Sequence, residues 1–192
     1  MNRPEPKAAP DRAGARYTTA GTRGFALVDL LFVVGVISVL SLIALPRMLL
    51  ARQSAGAASA VGSLRTINSA QLTFALTCGG GFYAPNLTTL GRPPAGSREP
   101  FIGPSLGAAD SVTRSGYVIQ VGATPFAGAP GSCNALPLGA AGQAFKAGAD
   151  PAEPQNQRFF ATNANGQIFE HNASIFAAMP EVGEPPVGHV LR

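Results

Sequence analysis

Asp29 is unusual for its surroundings. It lies in RGFALVDLLFVVGVISVLSLIALP, residues 23–46, where about twenty mostly apolar residues carry one carboxylate. A helix of that length rises about 30 Å, enough to cross the hydrocarbon core of a bilayer. A carboxylate at the centre of such a helix costs about 2.5–3.5 kcal/mol, and less nearer an end. An acid in this setting calls for a partner. Either another subunit brings a cation to it, or it sits at the membrane face against water.

The remaining candidates are fewer and weaker. Cys78 and Cys133 both lie beyond the apolar run. In an exported chain an isolated pair reads as one disulfide, and two separate buried thiols are the other reading. Closing a loop of that size contributes roughly 3–4 kcal/mol in the chain-entropy account. His171 and His189 have no metal-ligand spacing to each other or to the cysteines. The run Gly79-Gly80-Gly81 is not followed by Lys-Ser or Lys-Thr, so it is not a phosphate loop. Asp150 and Glu153 offer two carboxylates without further oxygen donors, so a solvated loop is preferred over a calcium loop. No catalytic constellation emerges, and neither enzymatic activity nor a cofactor or metal is expected.

The charge is unevenly placed. The chain has 192 residues and a formal charge of +4. Five basic residues face two acids before Phe25, and nine face eight after it. The excess therefore flanks the apolar run on its N-terminal side, which places residues 1–24 in the cytoplasm and the rest outside. A basic patch for nucleic acid would have to lie on the folded part, where the balance is near zero.

These residues need elements to position them. The length allows one compact domain and an anchor. Beyond Pro46, which should kink the helix, residues 51–77 read as its continuation. Val61, Leu64, Asn68, Leu72 and Ala75 fall on one face, and the glycine run provides a stop. Small residues between Ser54 and Ser63 suit close backbone approach. Further on, residues 86–90 suggest a short helical turn. Residues 116–121, 158–162 and 167–170 read as strands, the last two joined by an Asn-Gly turn. Phe159, Phe160, Phe169 and Phe176 are expected in the core, and the segment after Pro180 looks irregular. Three to four short strands after one long helix imply an α+β fold, with a small antiparallel sheet packed on the exported half of the helix.

The residues around Asp29 resemble the N-terminal signature of type IV pilins and type II secretion pseudopilins. Gly24 matches the residue before the cut and Phe25 the new N-terminus. Leu27-Val28 and Leu30-Leu31 match the flanks of the acid, and Pro46 stands where many pilins carry a helix-bending proline. Ala26 replaces the usual Thr and Asp29 the usual Glu. The order of the strand-forming segments is similar to the C-terminal halves of some prepilin-like proteins.

The resemblance implies a pilin-like α/β roll in three parts. These are a leader over residues 1–24, a hydrophobic then amphipathic helix over 25–77, and an exported globular head over 78–192. It implies cleavage after Gly24, N-methylation of Phe25, and pairing of Asp29 with the Phe25 amine of a neighbouring subunit during filament assembly. The implied partners are copies of the chain, a prepilin peptidase, an assembly ATPase and an inner-membrane platform. The location would be the bacterial inner membrane as a single-span precursor, then the periplasm or a surface filament. Alternatives are a minor pilin or pseudopilin serving type II secretion or surface or DNA binding, and an uncleaved signal-anchored exported protein.

Overall fold

The computed structural model describes residues 27–154 and 156–191. The leader, Gly24 and Phe25 lie outside the described residues. The chain forms two compact units, one ending at Ala44 and one beginning at Leu45.

Helix α1 is assigned over 51 residues, Leu27–Thr77, and so contributes to both units. A break at residues 43–46 separates Leu27–Leu42 from Arg47–Thr77, and Pro46 lies within it. Among the described residues no single helix is long and apolar enough to cross a membrane. The two segments taken as a pair do have the length and composition.

The first unit holds no other described element. In the second, the helix buries Ala57, Ala60, Leu64, Ile67, Gln71 and Phe74, and Cys78 just beyond its end continues the series. Their spacing alternates three and four, as one helical stripe requires. The face drawn from the sequence is therefore rotated. Leu64 and Ala75 are buried as expected, but Val61 and Asn68 are half-buried and Leu72 is 54% exposed. Many positions here are small or apolar on several sides, so spacing alone left the phase of the stripe open.

The helix packs on a six-stranded antiparallel sheet in the order β1-β2-β3-β4-β5-β6. These are β1 Ser111–Arg114, β2 Tyr117–Gly122, β3 Lys146–Pro151, β4 Phe159–Asn163, β5 Ile168–His171 and β6 His189–Val190. Each strand pairs with the next in the chain. Strands β2, β4 and β5 match the expected segments, and Gly166 takes φ +76° in the expected turn between β4 and β5. Strands β1, β3 and β6 were not expected, so the estimate of three to four strands was too low. The sequence of β3, KAGADP, has little intrinsic strand preference. Tertiary packing favours it, because Ala147 and Ala149 fit under the helix while both flanking strands supply hydrogen bonds.

The inner face of the sheet supplies Tyr117, Ile119, Val121, Phe160 and Ile168 to the core. On the outer face Ala161 and Phe169 pack with Ile175 and Met179 from the segment after β5. Of the four phenylalanines expected inside, Phe160 and Phe169 are buried, while Phe159 and Phe176 are half-buried. At Gly56 the helix comes close to the β1–β2 turn. A Cβ there would lie 2.7 Å from the Ser115 carbonyl oxygen. Gly56, Ala57 and Ala60 therefore serve packing within the chain, while Ser54, Ala55, Ala58 and Gly62 are exposed.

Two short helices complete the second unit. Helix α2, Leu87–Leu90, lies where expected and is capped by Asn86, which accepts from the Thr89 amide at 3.0 Å. Helix α3, Pro104–Gly107, was not expected. Cys78 and Cys133 form a disulfide across 55 residues, tying the end of α1 to the loop before β3.

Candidate functional site

The segment Leu27–Leu42 holds the residue singled out first. Asp29 lies in the first turn of the described helix and is exposed. Its neighbours are exposed as well: Leu27 at 73%, Val28 at 72% and Phe32 at 71%. Exposed large apolar side chains continue along the helix on all sides to Leu42. A soluble monomer rarely leaves an apolar surface of more than a few hundred Å² uncovered, so a surface of this kind points to a lipid or protein partner. Around Gly35 the helix has a shallow notch bordered by Phe32, Val36, Val39 and Leu40.

The only other polar side chains of this segment are satisfied locally. The Ser38 hydroxyl donates to the Val34 carbonyl at 2.8 Å, and that of Ser41 to Ile37 at 2.7 Å. Serines that bond within their own helix remain compatible with an apolar surrounding. Asp29 has no such device, and among the described residues no cation pairs with it.

The second unit holds the remaining titratable groups. Arg158 and Glu170 form a two-pronged ion pair between the start of β4 and β5; the longer prong, Nη2 to Oε2, is 3.1 Å. The guanidinium holds the Glu170 carboxyl below its usual range, through the hydrogen bond above all. His189, opposite Glu170 across the β5–β6 ladder, adds to that shift. His171 lies at the end of β5, and among the described residues no group of three metal-ligating side chains occurs.

Asp150 is not on a solvated loop as expected. It lies in β3, where Ser174 donates to Oδ2 at 2.6 Å and Oδ1 is buried without a hydrogen-bond partner. Burial pushes its carboxyl above the usual range, against the opposing effect of the Ser174 hydrogen bond. Glu153 follows in the turn after β3 and does not share a site with Asp150.

Sequence reading missed one grouping. Leu49, Arg52, Gln53 and Gly56 of α1, the β1–β2 turn at Ser115 and Gly116, Tyr117, Glu153 and Asn156 enclose a cleft of about 160 Å³. The participants come from three separate stretches, and none carries a local motif. No family model matches the chain, and neither a curated protein nor a solved structure is significantly similar to it.

Proposed function

We propose that the chain is a prepilin-type structural subunit with a pilin-like α/β roll as its head. It is cut between Gly24 and Phe25, methylated at the Phe25 amine, held in a bilayer by its apolar helix, and polymerised into a type IV pilus or pseudopilus. The observation that carries this reading is the exposed apolar helix Leu27–Leu42 with a single carboxylate near its start. In an assembled filament these helices cover one another. The Asp29 carboxylate of one subunit then meets the Phe25 ammonium of the next.

Removing two charges from water together costs less than leaving either alone, so the pair selects register more than it adds stability. Aspartate reaches one methylene less far than glutamate, so the contact is tight only if the subunits approach closely. The head, closed by the Cys78–Cys133 disulfide, suits the oxidising side of the membrane. Peptidase, assembly ATPase and membrane platform are partners supplied by other chains.

The test is the mature N-terminus and the fate of Asp29→Ala. Mass spectrometry should find methylated Phe25 at the terminus. The variant should insert and be cleaved normally but enter filaments at a small fraction of the unaltered yield. An intact Met1 overturns the reading, and full filament yield from the variant overturns the pairing of Asp29 with the Phe25 amine.

A further inference from the structure

We propose that the cleft between the head end of α1 and the β1–β2 turn binds a zwitterionic phosphoethanolamine headgroup, with Arg52 on the phosphate and Glu153 on the ammonium. The proposal rests on reading the apolar helix as a membrane anchor. The cleft, of about 160 Å³ and open to solvent, has room for a headgroup.

Its lining carries opposite charges that do not neutralise each other. Arg52 and Glu153 both border the cleft, and the only ion pair among the described residues is elsewhere, between Arg158 and Glu170. A guanidinium binds phosphate oxygens through charge-assisted hydrogen bonds. A carboxylate accepts from a primary ammonium, whereas a quaternary one has no N–H to give.

The third group is Tyr117. Its side chain is buried at 1% exposure, and its hydroxyl accepts from Asn156 Nδ2 at 2.9 Å. The hydroxyl's own hydrogen has no acceptor among the described residues, which leaves a donor to spare. A phenol is protonated at neutral pH, and burial raises this one further above its usual range. The source of the ligand follows from the same stretch of α1. Met48, Leu49 and Leu50 are exposed and apolar immediately before Arg52, and Leu49 itself borders the cleft. A ligand with an apolar tail meets both requirements, so the lipid form is favoured over the free phosphodiester.

The experiment uses the full-length chain in nonionic detergent. It is titrated with glycerophosphoethanolamine, and with glycerophosphocholine, glycerophosphate and glycine for comparison, with binding read by calorimetry. Glycerophosphoethanolamine should bind saturably and at least several-fold more tightly than the others. Arg52→Gln should weaken it about tenfold, as loss of a charge-assisted phosphate contact does. Glu153→Gln should retain binding but abolish the preference over the choline analogue. Equal binding of all four probes, or unchanged titrations of both variants, overturns the proposal.

A second arm compares reconstitution into phosphatidylethanolamine and phosphatidylcholine vesicles. Amide shifts of Gly116 and Tyr117 should differ between the two, and the difference should vanish in Arg52→Gln. Identical spectra, with soluble binding retained, overturn the lipid source and leave a free phosphodiester site. Filament yield separates the two readings. Lost headgroup selectivity with normal filaments defeats the cleft proposal alone. Headgroup binding by a chain that never polymerises defeats the filament reading alone.

Discussion

The two parts of α1 are apolar in different ways. From Leu27 to Leu42 large side chains face outward all round the helix, and among the described residues of that unit nothing covers them. From Arg47 to Thr77 the buried positions form one stripe, built around Ala57, Ala60, Leu64, Ile67 and Phe74, and the sheet covers it. A helix that is apolar all round has its solvent elsewhere, in lipid or in other helices, whereas a striped helix has found its partner within the chain. Substitutions in the two parts should therefore act on different observables.

The largest effect is expected in the striped part's partner. Phe160→Ala empties a site at the centre of the inner face, where the ring has 0% exposure, and should destabilise the head by about 3–5 kcal/mol. Chemical denaturation measures it, and membrane association should not change. If both fell together, the separation of the two parts would fail. Reduction of Cys78–Cys133 comes next. Freeing a 55-residue loop should cost the head roughly 3–4 kcal/mol, read as a lower denaturation midpoint with reductant present.

In the first part, Val36→Lys should cost about 2.5–3.5 kcal/mol of insertion into a bilayer while leaving the head's denaturation curve in place. A shifted curve would break the separation of the two parts. The smallest effect concerns Asp150. Its folded-state pKa is raised, so folding favours the protonated form. That contribution is fully present below the ordinary carboxylate range and is lost as pH rises through the raised value. Asp150→Asn should remove this dependence and gain about 1 kcal/mol or less at neutral pH. Titration of the midpoint with pH checks it, and an unchanged slope counts against the assignment.

Legibility in the sequence followed how local the cause was. The turn at Asn165-Gly166 was legible because a dipeptide decides it. The same holds for the helix stop before Gly79. Strand β3 was not legible, because alanine and glycine adopt a strand there only when a helix and two neighbouring strands surround them. The cleft was hidden for a related reason. Arg52, Tyr117 and Glu153 are far apart in the chain and none is distinctive alone. The burial of Asp150 could not be read either, since the covering residue, Ser174, lies beyond two further strands.

The sequence alone determined that an apolar helix bearing one acid would precede a small α+β unit with two cysteines. Hydropathy and residue type act along the chain, so both could be read without coordinates. Only the tertiary structure decided the rest: which stripe of the helix is buried, that the cysteines meet, and that the sheet has six strands. These depend on which surfaces come to lie within van der Waals reach, and distant segments settle that together.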